Sequence, residues 1–314
     1  MKKKNTKIKK QTAYSPFGGG LLPTPPDSRD FSLAGVFGAI DVKSIPNEDF
    51  FVGEPTIKNQ GRTDLCTAFS ACLVSEYQEE IELSPEFFFS QIKKIRGEYK
   101  QWGADLRSGC KAAQEVGFLA RMDAPFSLAD KGRDFLANWK NWPDELLPLA
   151  KKHVKESFFK VDGPYDNFDN IRVALWQNKG QKRAIYTGCV WRDGWTFSAG
   201  GVIPKSNVAK SFGHAFAIDG QKIINGVPYL RVPNSAGDSV GDKGFFYFPR
   251  EVVNRDFNFG SYMFIDMPPA IAKELNDKAV KGEMYIPPVP NKVISNSWFT
   301  KLIRQLISQL KKYE

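Results

Sequence analysis

The strongest restriction on the fold of this chain comes from a cysteine that follows a polar, glycine-bearing loop and opens an amphipathic helix. Residues 58–70 read Lys-Asn-Gln-Gly-Arg-Thr-Asp-Leu-Cys-Thr-Ala-Phe-Ser, with Gln60 six positions before Cys66. Apolar side chains recur at helical spacing from this point on, at Leu65, Phe69, Leu73 and Tyr77. The pattern predicts that Cys66 lies at the N-terminus of a helix.

This position favours the reactive form of the cysteine. The free backbone amides and the macrodipole at a helix N-terminus stabilise an anion, and Thr63 or Asp64 is expected to cap this end. The dipole contributes only about 0.3 to 1 kcal/mol, so a thiolate nucleophile also needs a nearby imidazole. The sequence therefore predicts a stabilised thiolate at Cys66 with a histidine beside it.

The chain has two histidines that could supply this imidazole. His153 lies in a lysine-rich, helical stretch, where a solvated face is expected. His214 lies in the apolar, strand-like run 212–218, which would hold an imidazole firmly. A later strand-like run ends just before Asn234, whose amide can orient the ring. The chain thus supplies a nucleophile, a base and an orienting group in the order Cys66, His214, Asn234.

Three blocks of this sequence resemble the motifs of the papain-family cysteine peptidases. Residues 57–70 are similar to the family's oxyanion-glutamine and nucleophile motif, Gly213-His214-Ala215 to its Gly-His-Ala base motif, and Asn234-Ser235 to its Asn-Ser motif. The separation between nucleophile and base is close to the roughly 130 to 150 residues of this family. The resemblance covers about residues 29–268, and a microbial or phage-type branch of the family is the most similar.

The resemblance implies a hydrolase, a thiol protease that cleaves polypeptides through a thioester on Cys66 and needs no cofactor. His214 would act first as the base and then as the acid, while Asn234 would fix its ring. The side chain of Gln60 and the backbone N–H of Cys66 would stabilise the oxyanion. Proteolysis of a polypeptide substrate is the expected activity.

The resemblance also implies where a substrate would bind. In this family a glycine-bearing loop lines the substrate cleft, and the corresponding stretch of this chain is Trp102, Gly103, Ala104 and Asp105. These residues, with Gly213 beside the base, are the candidates for pairing with a peptide backbone. For residues 102–105 an ordinary helix entry is the alternative interpretation.

The sequence departs from the family motifs at three positions. Thr63 stands in the place of the first cysteine of the nucleophile motif and Thr67 in the place of its tryptophan, so a structural disulfide is lost. Ala236 stands where the family usually carries a tryptophan that shields the hydrogen bond between histidine and asparagine. We therefore expect this bond to be more exposed to solvent and weaker.

The four cysteines have no spacing that suggests another role. They form no CxxC pair and no zinc-like pattern with the two histidines, so no metal site is expected. If Cys66 is the nucleophile, an odd number remains, which fits a reducing compartment better than a disulfide scaffold.

The predicted elements indicate an α+β fold that begins with helices. After the helix that Cys66 opens, Ser84 and Pro85 announce a second helix that runs to about Ile95. A third helix ends near Gly117. The first part of the chain is therefore predicted to be helical.

From about residue 166 the pattern changes. A helix over 168–178 precedes strand-like runs at 183–191, 215–218, 229–232, 245–248 and 261–265. A helical half followed by a β-rich half matches the two-lobed papain-like fold. The expected peptidase domain is 29–269, with a helical lobe at about 60–165 that carries the cysteine helix. The β-rich, barrel-like lobe at about 166–269 carries the histidine and the asparagine.

Residues 1–28 are expected to form a basic, flexible arm. Six of the first ten residues are lysines, which account for most of the net charge of +9. A solvated end is favoured over contact with nucleic acid or lipid, and specific nucleic-acid binding is not expected. No signal-peptide core follows and no apolar run is long enough to span a membrane. A cytoplasmic location is expected, or a virion-associated one for a phage protein.

Residues 270–314 are expected to form a proline-containing linker and a C-terminal amphipathic helix. Apolar side chains recur there at helical spacing: Trp298, Phe299, Leu302, Ile303, Leu306, Ile307 and Leu310. This helix either docks on the protein's own surface or binds a protein partner or a membrane surface.

Two other functions stay open at the level of the sequence. One is a catalytically silent papain-like module for binding or assembly, which the missing tryptophan at Ala236 and the C-terminal helix suggest. The other is a different thiol acyl-transferase, such as a transglutaminase or a cell-wall amidase. The complete set of Gln60, Cys66, His214 and Asn234 favours the peptidase over both.

Overall fold

Helices account for most of the regular structure up to residue 178, and strands for most of it beyond residue 184, in the computed structural model. The structure describes residues 19–25, 27–28, 30–192, 194–205 and 211–282. Most of the predicted basic arm, and the whole amphipathic stretch 298–310, therefore lie outside the described residues.

The order of elements confirms the prediction of helices followed by strands. The helices are α1 (Leu33–Phe37), α2 (Cys66–Glu79), α3 (Pro85–Arg96), α4 (Leu106–Glu115), α5 (Arg133–Ala137), α6 (Leu147–Ala150), α7 (Asn167–Asn178), α8 (Arg250–Asp256) and α9 (Pro269–Val280). The strands are β1 (Phe31–Ser32), β2 (Phe50–Phe51), β3 (Ser157–Lys160), β4 (Ile185–Arg192), β5 (Ser211–Ile218), β6 (Gly220–Ile224), β7 (Val227–Pro233), β8 (Phe245–Phe248) and β9 (Ser261–Ile265). None of these helices is long and apolar enough to cross a bilayer.

Local capping explains where α3 and α4 begin. The hydroxyl of Ser84 accepts a hydrogen bond from the N–H of Phe87, and α3 ends at Gly97 with a φ of 73°. The carboxylate of Asp105 accepts from the N–H of Ser108 in the same way at the start of α4. The predicted bounds of both helices are confirmed within a few residues.

The start of α2 differs from the prediction. Its N-cap residue, Leu65, makes no side-chain capping hydrogen bond. Thr63 donates from Oγ1 to the carbonyl oxygen of Gln60 at 2.8 Å, and the fully buried carboxylate of Asp64 binds Arg133. The expectation that Thr63 or Asp64 caps α2 is therefore wrong, because a guanidinium is a stronger partner for a buried carboxylate than a backbone amide.

The strands form two sheets, and the first one positions the base. Their orders are β1-β3-β9-β4-β5 and β2-β6-β7-β8. β4 and β5 pair antiparallel over their whole length, which places Cys189 directly opposite His214. α2 packs against both β4 and β5, and β7 packs beside β5. This packing brings the first residue of α2 and the end of β7 to the same strand.

The other histidine lies at the far end of α2. His153 ends a short 3-10 turn (Lys151–His153), and its Nδ1 lies 2.9 Å from Oε2 of Glu79. Glu79 is the last residue of α2, about 20 Å along the helix from Cys66. Lys151 and Lys152 are exposed as the solvated helical face predicts, but His153 itself is partly buried and paired with Glu79, away from the cysteine.

Candidate active site

Cys66 is the first residue of α2 and is fully buried. Its thiol lies between β5 and residue 20, since the backbone groups of Ala215 and Gly20 hydrogen-bond to it. Burial raises the pKa of the Cys66 thiol to about 12, and backbone hydrogen bonds with Ala215, Gly20 and Thr67 oppose this shift only in part. The predicted stabilised thiolate is therefore wrong for this arrangement. The lost hydration outweighs a helix N-terminus worth about 0.3 to 1 kcal/mol.

His214 lies within β5 and is buried. Its Nε2 is 2.8 Å from Oδ1 of Asn234. That oxygen also accepts the N–H of Ser235 at 2.8 Å, so it is an acceptor and Nε2 is the nitrogen that carries the proton. Nδ1 is then unprotonated, and it has no hydrogen-bond partner among the residues that the structure describes. This nitrogen is the atom that can receive the proton of a thiol.

The electrostatics of the base follow from the same burial. Loss of hydration lowers the pKa of His214 to about 4, although the hydrogen bond that Nε2 donates to Asn234 acts in the opposite direction. Cys66 contacts the backbone of Ala215, the next residue of β5. The closed site thus holds a neutral thiol against the strand that carries a neutral imidazole.

The indole of Trp191 covers the base. Trp191 lies in β4, and its ring centroid is 5.2 Å from that of His214, with the two planes 80° apart. His214 and Asn234 are each only 2% exposed. The expectation of a more exposed hydrogen bond, drawn from Ala236, is therefore wrong. An aromatic ring from the neighbouring strand packs against the histidine instead.

Gln60 joins the nucleophile loop to the asparagine block. Its backbone N–H donates to the carbonyl oxygen of Ser235 at 2.9 Å, and its Oε1 accepts from Oγ of Ser235 at 2.6 Å. Its Nε2 donates to the carbonyl oxygen of Thr63 at 2.8 Å. The side chain is thus buried and fixed in the loop that precedes Cys66.

Residues 19–22, which we call the covering segment, occupy the cleft at Cys66. The amides of Gly20 and Leu21 both donate to the carbonyl oxygen of Gly213 at 3.1 Å. The amide of Ala104 donates to the carbonyl oxygen of Gly20 at 2.8 Å, and the amide of Leu22 donates to that of Ala104 at 2.9 Å. Two of the predicted substrate-binding residues, Ala104 and Gly213, therefore pair with the backbone of the protein itself.

The glycines of the cleft leave room for this backbone. A Cβ atom added to Gly103, whose φ is +83°, would lie 2.1 Å from the carbonyl oxygen of Gly20. One added to Gly213 would lie 2.1 Å from the carbonyl oxygen of Leu21. Gly188 of β4 similarly makes room for the side chain of Leu21, which is buried. Small residues therefore form the surface on which a peptide chain lies.

Trp102 and Asp105 play different parts at this cleft. Nε1 of Trp102 donates to the carbonyl oxygen of Gly19 at 2.6 Å, and half of this side chain stays exposed. Asp105 caps α4 and forms an ion pair with Arg96, so its side chain serves the helix rather than the covering segment. The ordinary helix entry, the alternative interpretation of residues 102–105, describes Asp105, whereas Trp102, Gly103 and Ala104 face the segment.

Sequence patterns did not indicate three features of the site: the covering segment, the contact of Trp191 with His214, and the buried pair of Asp64 and Arg133. A run of three glycines, 18–20, just before Leu21 is the sequence signal that could have indicated the first. The other two join residues far apart in the chain, and no local pattern marks them.

The sequence is similar to that of a curated protein. No protein-family model matches the sequence. A curated relative, cathepsin L 2 from Paramecium tetraurelia, is 28% identical over 196 residues, which cover 60% of this chain and 54% of the relative. The chain thus spans about half the length of this relative.

Solved structures are similar over a larger share of the chain. Xylellain, a cysteine protease from Xylella fastidiosa, superposes with a TM-score of 0.64 at 19% identity and covers 81% of this chain and 98% of its own. Procathepsin L 3 from the larval midgut of Tenebrio molitor gives a TM-score of 0.53 at 18% identity, with 81% of this chain and 77% of its own covered. The predicted α+β, two-lobed architecture is confirmed: this chain has the papain-like fold of the cysteine proteases.

Proposed function

We propose that this protein is a cysteine peptidase that hydrolyses peptide bonds of polypeptides through a thioester on Cys66. The observation that carries the proposal is the buried contact of 2.8 Å between Nε2 of His214 and Oδ1 of Asn234. This contact leaves Nδ1 as the proton acceptor on the strand that Cys66 touches. A nucleophile, a base and an orienting amide then act as one unit.

Acylation begins when Nδ1 of His214 takes the thiol proton of Cys66. The sulfur attacks the carbonyl carbon of the scissile peptide bond, and a tetrahedral oxyanion forms. Nδ1 then gives its proton to the leaving amine as the carbon–nitrogen bond breaks, which leaves an acyl thioester. Throughout, Asn234 holds the ring through Nε2, so that Nδ1 keeps its direction.

Deacylation repeats these proton transfers with water. Nδ1 of His214 removes a proton from the attacking water, the new carbon–oxygen bond forms, and the thiol of Cys66 leaves with that proton. The amide of Gln60 and the backbone N–H of Cys66 would stabilise the oxyanion in both steps. Gln60 suits this role because three hydrogen bonds hold its backbone and side chain in the loop before Cys66.

A polypeptide is the substrate class that the cleft fits. The covering segment already binds there through main-chain hydrogen bonds to Ala104 and Gly213, which are available to any peptide backbone. Productive binding requires this segment to leave. Water that enters with the substrate would return the pKa values of Cys66 and His214 toward their usual range, because burial causes both shifts.

The decisive experiment is covalent labelling of the reduced protein with an epoxysuccinyl peptide, combined with hydrolysis of fluorogenic peptides. Bromelain from Ananas comosus, another structure with a similar fold (TM-score 0.50, 19% identity, 69% of this chain and 98% of its own), was solved in complex with the inhibitor E64. We expect labelling of Cys66 alone, and loss of labelling and hydrolysis in Cys66→Ser and His214→Ala. Cys72→Ser is the matched control in the same helix, and it should retain both.

Two outcomes would favour the other functions. Peptide hydrolysis that continues in Cys66→Ser would overturn the proposal. So would a protein that lacks residues 1–22, has an otherwise unchanged sequence, and neither reacts with the label nor hydrolyses peptides; this result would favour a binding module. Transfer of the acyl group to added amines in preference to water would favour an acyl-transferase. We expect hydrolysis to dominate with and without the amine.

A further inference from the structure

Asp64 and Arg133 form an ion pair in the wall of the cleft. Asp64 precedes Cys66 by two residues, and its side chain is fully buried. Nε of Arg133 donates to Oδ1 at 2.8 Å and Nη2 donates to Oδ2 at 2.6 Å, a bidentate geometry. Arg133 comes from α5, which is 69 residues further along the chain. A buried pair of this kind fixes the relative position of the two segments that carry it.

The same guanidinium holds the loop that leads into the peptide-pairing edge. Nη1 of Arg133 donates to the carbonyl oxygen of Tyr99 at 2.7 Å, and Nη2 donates to that of Gln101 at 2.7 Å. Lys93 of α3, whose side chain is fully buried, donates from Nζ to the carbonyl oxygens of Gln101 at 2.6 Å and of Gly103 at 2.7 Å. Two cations therefore bind the carbonyl oxygens of Tyr99, Gln101 and Gly103.

Asp64 also binds the cleft edge directly. Its Oδ2 accepts the N–H of Gly103, the residue before Ala104. One carboxylate thus contacts the guanidinium and the cleft edge at once, and it lies in the loop that ends at Cys66. Thr63, the residue before Asp64, stands where the nucleophile motif of the family has its first cysteine, and all four cysteines of this chain are free thiols. A non-covalent link joins the nucleophile loop to the edge that binds peptide.

We propose that Asp64 and Arg133 are a positioning pair that holds the edge Gly103–Ala104 at a fixed distance from Cys66. The proposal deepens the proposed function and rests on it, because the edge matters to catalysis only if a peptide is cleaved there. Arg133 also neutralises a carboxylate that raises the pKa of the Cys66 thiol in addition to burial. The pair therefore acts on substrate position and on the nucleophile.

The test compares three variants in the full-length protein: Asp64→Asn, Arg133→Met and the double variant. Arg133→Met leaves a buried carboxylate without its cation and can prevent folding. The double variant removes both charges, so it still tests the pair if Arg133→Met does not fold. Asp134→Asn is the matched control, since this exposed carboxylate lies 3.0 Å from the same guanidinium.

Two measurements separate positioning from stability. The first is hydrogen exchange, followed by mass spectrometry, of the backbone amides of residues 99–104 relative to those of α2. Loss of a charge-assisted hydrogen bond should accelerate exchange at 99–104 about ten- to hundredfold, with α2 unchanged. The second is peptide hydrolysis as a function of pH. The double variant should raise KM with little change in kcat. Arg133→Met alone should also shift the lower limb of the kcat/KM profile to higher pH.

The outcomes distinguish this proposal from the proposed function. Unchanged exchange at 99–104 in a folded double variant would overturn the positioning pair, whatever activity the wild type has. Faster exchange in the double variant, with no peptide hydrolysis by the wild type, would support the link between the two segments and contradict the peptidase. Equal effects in Asp134→Asn would show that any loss of charge near Arg133 suffices, and would also overturn the proposal.

Discussion

The indole of Trp191 stands edge-on to the imidazole of His214, with ring centroids 5.2 Å apart. The two residues belong to the paired strands β4 and β5, and Trp191 also contacts Trp195 and Phe248. An edge-to-face pair of this kind holds the imidazole in place and keeps water from it. The sheet thus supplies the shielding that Ala236 cannot give.

Replacing Trp191 by phenylalanine should weaken the orientation of His214. The smaller ring leaves space for water near the bond to Asn234, and a loss of about 1 kcal/mol in that bond lowers kcat about fivefold. Peptide hydrolysis under saturating substrate measures the effect. Trp195→Phe is the matched control, because Trp195 is equally buried and contacts Trp191 rather than the imidazole. Equal losses in both variants would contradict a specific role for Trp191.

Placing a charge at Leu21 should open the cleft. Leu21 is 4% exposed, and its burial against Gly188 contributes about 2 kcal/mol to the closed arrangement. Leu21→Arg should therefore raise the rate at which iodoacetamide alkylates Cys66 by about thirtyfold at constant pH. Pro23→Arg adds the same charge at an exposed position nearby and should leave the rate unchanged. An unaltered rate in Leu21→Arg would mean that the covering segment does not limit access.

Removal of the Gln60 side chain should slow turnover without unfolding the protein. Loss of one oxyanion donor typically costs about 10²- to 10³-fold in kcat, and we expect Gln60→Ala to fall in this range. Asn59→Ala, in the same loop, is the control, since the side chain of Asn59 accepts only the local N–H of Gly61 among the hydrogen bonds described. Circular dichroism and the melting temperature report whether the loop has collapsed. A kcat close to that of the wild type would remove Gln60 from the oxyanion site.

Stability should fall with pH below neutrality because His214 is buried in its neutral form. Its pKa is about 4 in the folded protein and 6.5 when unperturbed, so the unfolded state binds more protons between these values. This group's contribution to the free energy of unfolding is therefore complete above pH 6.5 and decreases as the pH falls toward 4. The loss is on the order of 3 kcal/mol.

Urea unfolding of the wild type and of His214→Asn between pH 7.5 and pH 4 measures this contribution. The difference between the two free energies of unfolding should shrink as the pH decreases. A difference that does not depend on pH would show that His214 is not held as a buried neutral ring.

Local sequence signals account for the helices and strands and for the candidate catalytic residues. The helix bounds follow from local interactions, such as the hydroxyl of Ser84 that caps α3, and the strand runs follow from apolar patterning. These signals act over a few residues, which explains why α3, α4 and β8 lie close to their predicted positions. The motifs likewise indicated Cys66, His214 and Asn234 as the candidate nucleophile, base and orienting amide.

The protonation and contacts of those residues depend instead on how the chain packs. A helix N-terminus favours a thiolate, yet burial beneath the covering segment makes Cys66 a neutral thiol, since desolvation depends on atoms from distant parts of the chain. The partner of Asp64 comes from 69 residues away and that of His214 from a neighbouring strand. Charge pairing and ring packing depend on distances in space, and those distances exist only once the two sheets and α2 have packed together.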